Sequence, residues 1–166
     1  MAVKSVKDLL VDELRDLYHA EKQLVRALPK MAKKVKSDEL RQAFELHLEE
    51  TKGQVERLDQ VFQQLDARAS GKRCEAMEGL IEEAKEMMDE ITTPEVLDAA
   101  MIAAAQKVEH YEIASYGSVC ALAEALGQNE AAKLLEETLN EEKATDQKLN
   151  QIALTSVNQT ALQTAA

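Results

Sequence analysis

The chain has few aromatic and few turn-forming residues. Its 166 residues include no Trp, 2 Phe, 3 Tyr, 5 Gly and 2 Pro. Sheet proteins need strand-favouring aromatic residues and many tight turns, so this composition argues against a β-rich fold. We predict one all-α domain over residues 1–166, long enough to bury a core, with a C-terminal tail that is frayed from about residue 157.

Cysteines and long apolar runs are also scarce. The two cysteines, Cys74 and Cys120, do not form a Cys-x-x-Cys pair, which argues against a disulfide scaffold and a thiolate metal site. Charged residues interrupt the N-terminal segment every two or three positions, so it has no apolar region of signal-peptide length. No stretch approaches the roughly 20 apolar residues of a membrane span. We therefore predict a soluble cytoplasmic protein.

Positive charge is in deficit. With 20 Lys and Arg against 31 Asp and Glu, the net charge of −11 would repel nucleic acid and anionic membrane surfaces. The sequence also lacks a nucleotide-binding glycine motif, a Gly-x-Ser-x-Gly motif and a basic aromatic patch. We predict no nucleic-acid partner and no membrane partner, and find no residues to support hydrolase or kinase chemistry.

Apolar residues recur three and four positions apart through most of the chain, a pattern typical of amphipathic helices. Pro29 predicts a kink in the first helix. Thr93 and Pro94 are a strong helix start, and Gly127 is a helix stop. The predicted helices cover residues 6–36, 38–69, 74–91 and 94–126, with a last helix from residue 128 or 129 to about 156.

Four long helices with a short helix in the crossover between the second and third of them predict a ferritin-like four-helix bundle. A connection that carries a whole helix can run the length of the bundle, so two helical hairpins can pack as a pair. An internal offset of 91 residues supports matched hairpins, because it relates Glu21 to Glu112 and Glu50 to Glu141.

Acidic residues occupy helix positions that should face the apolar core. A buried carboxylate without a partner costs several kcal/mol, so something must compensate for it. Glu21, for example, lies between Leu17 and Leu24 on the inward face of the first helix. All four long helices contribute such polar positions, and these candidate metal ligands are Glu21, His47, Glu50, Gln54, Glu109, Glu112, Glu142 and Asp146.

Acidic residues near the middle of four antiparallel helices are the layout of a dinuclear carboxylate site. Ligands rich in oxygen, with at most one or two imidazoles, suit iron, manganese or another hard divalent ion. The chain lacks the Glu-x-x-His pairs usual in such bundles, since Gly53 follows Glu50 at that spacing and Thr145 follows Glu142. Nitrogen ligation therefore stays an open question.

Several long segments resemble the YciF/YciE family of bacterial stress-response proteins, most closely its YciF branch. They are AEKQLVRALPK, HLEETKGQVERLDQVF, CEAMEGLIEEA, IAAAQKVEHYEIASYG and LNEEKATDQKL, and the resemblance runs from Val6 to about Val157. It implies a ferritin-like domain, a homodimer, a dinuclear metal site and a stress-response role without an established reaction. The ligands it implies are Glu21, Glu50 with His47 or Gln54, Glu109, Glu112 and either Glu141 or Glu142.

The same acids have a second interpretation as ion pairs on solvated helix faces, with Lys22, Lys52 and Lys143 nearby. Between Glu141 and Glu142 the sequence does not decide, because the apolar stripe favours Glu142 and the repeat offset favours Glu141.

The histidines and Tyr116 are ambiguous in a similar way. His47 suits an interior histidine bonded to a facing acid better than a ligand. His110 is expected on the surface and His19 in solvent, while Tyr116 is expected to pack in the core.

Two functional hypotheses follow. The first is a stress-response protein with two metal ions, iron or manganese, at the centre of the bundle, whose chemistry would be di-iron or dimanganese redox chemistry with oxygen or peroxide. The alternative is a structural or interaction protein in which the acidic centre is vestigial or empty. The missing Glu-x-x-His pairs favour the alternative.

Overall fold

The computed structural model describes residues 3–164, and all regular secondary structure in this range is helical. The all-α prediction is confirmed. Four helices are long, a shorter one lies in the crossover, and a π-helical turn joins the last two. They are α1 (Val6–Lys34), α2 (Asp38–Gln64), α3 (Glu75–Glu90), α4 (Pro94–Ala125), α5 (Asn129–Ile152), the π turn (Ala153–Val157) and α6 (Asn158–Thr164).

The two hairpins predicted from the sequence are present. Helix α1 packs against α2 and α4 packs against α5, while α2–α5 and α1–α4 contacts join the hairpins. Helix α3 lies in the crossover and packs against α4 and α1. This arrangement is the ferritin-like four-helix bundle with an extra helix in its long connection.

Helix α2 ends at Gln64, five residues before the predicted end at Ala69. The amide of Ala67 donates to the carbonyl of Phe62, and that of Asp66 donates to Gln63. These two bonds form a Schellman cap in which Asp66 adopts a left-handed φ of 52°. Aspartate adopts this conformation more readily than most residues do, and so the helix ends here without a glycine.

The segment after residue 157, which we expected to be frayed, is helical as far as Thr164. The π turn carries the chain on from α5 and buries Ala153 and Val157. Helix α6 then contacts α4, and this tertiary packing compensates for the weak apolar periodicity of the segment.

Pro29 lies inside α1, and the helix continues past it to Lys34.

The core consists of two apolar clusters, one towards each end of the bundle. One cluster contains Leu24, Phe44 and Met101, and the other contains Leu14 and Phe62. The buried acidic positions fall between the two clusters along each helix, as Glu21 does between Leu17 and Leu24. The bundle therefore has a polar layer at mid-height with a dry core on either side of it.

Asp98 fixes the turn between α1 and α2 to the start of α4. Its carboxylate is buried and accepts hydrogen bonds from the backbone amides of Lys36 at 2.7 Å and Ser37 at 2.8 Å. We expect Asp98→Ala to lower the free energy of unfolding by about 2–3 kcal/mol, because two amides lose a charged acceptor. Urea denaturation measures this loss. Asp98→Asn, which keeps one acceptor oxygen, should destabilise less. Equal effects of the two substitutions would contradict the role of Asp98 as the acceptor for the two amides.

Candidate metal centre

The side chains of the polar layer come from the middle of all four long helices. Helix positions three and four apart share a face, so Glu109 and Glu112 project together from α4, and His47 and Gln54 project together from α2. Each of these side chains is buried. The buried carboxyl, imidazole and carboxamide groups that form this layer belong to Glu21, His47, Gln54, Glu109, Glu112 and Glu142.

Four of these residues converge tightly enough to share an ion. One ligand atom from each of His47, Glu109, Glu112 and Glu142 lies within 4.8 Å of those of the other three. The His47 Nε2 atom is 3.2 Å from Glu109 Oε1 and 4.0 Å from Glu142 Oε2. The ion-pair interpretation of the sequence is therefore wrong for Glu112 and Glu142, which are fully buried and form no ion pair with a Lys or Arg among residues 3–164.

Glu21 joins the layer from α1 through Tyr116. The buried Tyr116 hydroxyl donates a hydrogen bond to Glu21 Oε1, while Glu21 Oε2 has no partner among residues 3–164. Burial raises the pKa of Glu21 to about 7, and the Tyr116 hydrogen bond opposes this rise. Tyr116 packs in the core as expected, and its hydrogen bond to Glu21 is an addition that helix spacing alone did not reveal.

The structure separates Glu141 from Glu142. Glu142 is buried and accepts a hydrogen bond from the Gln54 amide. Glu141 is half-buried and forms a bidentate pair with Arg57, at 2.8 and 3.0 Å. Partial burial raises the pKa of Glu141, but Arg57 and Gln54 outweigh that effect and hold it below its usual value. Glu142 therefore faces the cluster, whereas Glu141 is neutralised at its edge.

The charge of the cluster is poorly compensated by protein groups. Burial, and then the charge of Glu21 and other neighbouring acids, raises the pKa of Glu112 well above its usual value. Burial and Glu109 do the same to Glu142. Burial alone would lower the pKa of His47, but the carboxylates around it, Glu109 first, hold it well above its usual value. A single imidazole thus faces several carboxyl groups.

Many atoms of the layer have no hydrogen-bond partner within residues 3–164. Native proteins satisfy nearly all buried polar atoms, so a group of unsatisfied ones has the capacity to bind an ion or water. The atoms of the layer that are unsatisfied are Glu21 Oε2, His47 Nδ1 and Nε2, Gln54 Oε1, Glu109 Oε2, both carboxylate oxygens of Glu112, and Glu142 Oε2. A set of oxygen atoms with one imidazole fits hard divalent cations such as iron and manganese.

Two of the predicted ligands, Glu50 and Asp146, lie outside the buried polar layer. The Glu50 side chain is 32% exposed and reaches the cluster only through His47, whose Nδ1 is 3.7 Å from Glu50 Oε2. Asp146 contacts Gln106 at 3.1 Å and the exposed His110 at 3.3 Å. The structure places Asp146 beside these two residues of α4 rather than with the buried acids.

His19 differs from its expected place in solvent. It is half-buried, and its Nδ1 atom accepts a hydrogen bond from the Cys74 amide at 3.0 Å. Gly71 packs against the His19 side chain, where an added Cβ would lie 3.2 Å from the His19 Cβ. His19 thus attaches the crossover to α1. Helix spacing could not reveal this contact, because the two segments are far apart along the chain.

Comparisons with known proteins agree with this architecture. The family described as "Domain of unknown function (DUF892)" matches residues 5–162. The chain belongs to this family. Protein YciF of Escherichia coli strain K12 is 55% identical over 162 residues, which cover 97% of this chain and 98% of that protein.

Several solved structures superpose on this DUF892 member over most of its length. The crystal structure of the E. coli stress protein YciF has a TM-score of 0.90 at 55% identity, and covers 94% of this chain and 99% of that one. YcfI of Rhodopseudomonas palustris, provisionally described as a structural protein, has a TM-score of 0.88 at 51% identity and covers 89% and 94% of the two chains. A Xanthomonas campestris protein shares the fold, with a TM-score of 0.77 at 23% identity over 96% and 97% of the two chains.

Within residues 3–164, no helix of this DUF892 member combines the length and the apolar character needed to cross a bilayer.

Proposed function

We propose that the polar layer binds two divalent metal ions, iron or manganese, and that the protein serves as a stress-response protein through this centre. One observation carries the proposal. Four buried carboxyl groups and a buried imidazole converge, and each of these side chains has at least one N or O atom without a hydrogen-bond partner among residues 3–164. Four buried carboxylates require about four positive charges, which two divalent ions supply and a single His47 does not.

The ligands in this proposal are the buried residues that meet at mid-height. Bridging carboxylates from facing helices allow two cations to lie close together. Gln54 holds Glu142 by its amide and leaves its own Oε1 free. The proposed ligand set is Glu21, His47, Glu109, Glu112 and Glu142, with Gln54 as an adjacent oxygen donor.

Bound iron or manganese would supply one-electron redox chemistry with oxygen or peroxide. The protein residues orient and isolate the site. Tyr116 fixes one oxygen of Glu21 by a hydrogen bond and leaves the other free. The apolar clusters above and below the layer exclude water, which strengthens every electrostatic interaction within it.

The test is an anaerobic titration of metal-free protein with Fe²⁺ or Mn²⁺ by equilibrium dialysis. We expect the wild-type protein to approach two ions per chain and Glu142→Ala to bind far less, because a buried ligand is lost. Glu141→Ala is the matched control. It removes the same charge at the neighbouring position, where the side chain pairs with Arg57. Equal binding by the two variants would contradict the proposed ligand set.

The second candidate function is a structural or interaction role with an empty acidic centre. The missing Glu-x-x-His pairs favour it, as does the raised pKa of Glu112 and Glu142, because protonated carboxyl groups can remain buried without metal. The dialysis experiment separates the two functions. A wild-type protein that binds no Fe²⁺ or Mn²⁺, yet stays folded, supports the structural role.

We also propose that the protein is a cytoplasmic homodimer. The resemblance to the YciF/YciE family implies the dimer, and the two free cysteines, Cys74 and Cys120, favour a reducing compartment. Three large apolar side chains, Leu46, Leu154 and Leu162, are more than 60% exposed and could be covered by a second subunit. Sedimentation equilibrium measures the subunit number.

A further inference from the structure

A cavity of about 490 Å³ lies between α2 and α5 and opens to solvent. Its lining includes Glu39, Leu46 and Glu50 from α2 and Thr145 and Lys148 from α5. Glu50 is the lining residue that also touches the buried layer, because its carboxylate is 3.7 Å from His47 Nδ1. That nitrogen is buried and has no hydrogen-bond partner among residues 3–164.

We propose that this cavity is the entrance through which divalent cations reach the buried centre, and that Glu50 is the residue that captures them at its inner end. The inference rests on the metal-binding function proposed above. In this role a carboxylate oxygen of Glu50 coordinates the hydrated ion and replaces one of its water molecules, which returns to solvent. Glu50 then releases the ion inward. It is a transfer residue and does not belong to the final ligand set.

The exposure of Glu50 supports this role. A permanent ligand in this layer is fully buried, as Glu112 and Glu142 are, whereas the Glu50 side chain is 32% exposed. Glu141 occupies a comparable half-buried position on α5, but Arg57 neutralises it. Glu50 has no Lys or Arg within 4 Å in the described part of the chain. Its charge is therefore available to an entering cation.

A second cavity beside the core is unsuitable for cations. It lies between α1, α3 and α4, has a volume of about 230 Å³, and is lined mainly by apolar residues such as Leu24, Ala27 and Val108. Arg26, Lys30 and Lys85 are its charged lining residues. Positive charge and an apolar wall repel a hydrated dication. The entrance between α2 and α5 instead has two acids and one lysine, and Lys148 is paired with Glu39 at 3.0 Å.

The test measures how fast metal-free, full-length protein takes up Co²⁺, by stopped-flow absorbance of bound cobalt, and measures final occupancy by dialysis. We expect Glu50→Gln to slow uptake about tenfold, the lower end of the effect of electrostatic focusing, with final occupancy unchanged. Glu49→Gln is the matched control, because Glu49 is an exposed neighbour on α2 paired with Lys52. It should load at the wild-type rate.

Two further variants keep the test independent of any folding defect in Glu50→Gln. Lys148→Gln removes positive charge from the entrance and should accelerate uptake. Thr145→Phe narrows the cavity without changing its charge and should slow uptake. Added salt should slow the wild-type protein more than Glu50→Gln, because salt screens the attraction that Glu50 provides.

The outcomes separate the entrance from the metal site itself. Wild-type uptake rates in Glu50→Gln and Thr145→Phe would overturn the entrance. A lower final occupancy in Glu50→Gln would make Glu50 a ligand and would also overturn the transfer role, while leaving the metal site intact. A wild-type protein that binds no Co²⁺, Fe²⁺ or Mn²⁺ would overturn the metal-binding function, and this inference with it.

Discussion

Replacing Glu112 with leucine is expected to stabilise the metal-free protein and to abolish metal binding. Glu112 is fully buried, and neither of its carboxylate oxygens has a hydrogen-bond partner among residues 3–164. A buried polar group without a partner costs about 1–3 kcal/mol, and leucine has a similar volume without that cost. We therefore expect the free energy of unfolding in chelator to rise by about that amount. Urea denaturation at neutral pH, paired with Mn²⁺ dialysis, measures both effects.

The control for this substitution is Glu124→Leu on the same helix. Glu124 is exposed, so its replacement should change stability by less than about 0.5 kcal/mol and leave metal binding intact. A trade of stability for function is expected at a binding site and not in an ordinary core. If Glu112→Leu destabilised the metal-free protein while retaining full metal occupancy, the carboxylate would have a structural role and the proposed ligand set would be wrong.

The metal-free protein is expected to lose stability as the pH rises from about 5 to about 8. Glu21 has a folded pKa of about 7 against an ordinary value of 4.5. In this range the folded state keeps a proton that the unfolded state has released. The stability contributed by that proton is complete below pH 4.5 and is lost as the pH rises through about 7. At about 1.4 kcal/mol per pKa unit, the loss from Glu21 alone is roughly 3 kcal/mol.

Other groups of the layer act in the same direction. The pKa values of Glu112, Glu142 and His47 are also raised, so each holds a proton in the folded state at a pH where the unfolded state has lost it. Carboxylates with a lowered pKa, such as Glu141, have the opposite effect, but their contribution is lost only as the pH falls below about 4.5. They do not oppose the trend near neutral pH.

Metal should reverse this pH dependence. Ligands must be deprotonated to bind a cation, so metal affinity, and with it the stability of the loaded protein, increases with pH. Thermal unfolding from pH 5 to 8, with chelator and with saturating Mn²⁺, gives the two slopes. Parallel slopes would show that the raised pKa values are not coupled to metal binding.

The fold could be predicted from the sequence because its composition, the spacing of its apolar residues and its helix-end residues all indicated the same structure. The spacing of apolar residues defined the helices, and Pro94 and Gly127 marked two ends that the structure reproduces within one residue. The end of α2 was misplaced because Asp66, in the left-handed conformation, performs the role expected of glycine. The helical segment after Val157 was missed because its contacts with α4 are long-range and have no local signature.

The site was predicted less completely, since helix spacing gives a face but not the partners on that face. Glu21 and Glu112 could be placed in the interior because apolar residues lie one turn before and one turn after each of them. Glu142 could be placed there because it interrupts the apolar stripe between Leu139 and Leu149. The choice between Glu141 and Glu142 depends on Arg57, which lies on another helix. Arg57 pairs with Glu141 and not with Glu142. Asp146 shares the predicted stripe with Glu142, but its contact with Gln106 and His110 holds it outside the buried cluster.

Anomalous X-ray diffraction from crystals of protein loaded with Mn²⁺ or Fe²⁺ tests the central claim most directly, because it gives both the number of ions and their position. We predict two anomalous peaks in the polar layer, coordinated by His47 and the buried carboxylates of α1, α4 and α5. An anomalous map with no peak in this layer, in crystals of folded and fully loaded protein, would contradict the account and leave the acidic centre a structural feature of the bundle.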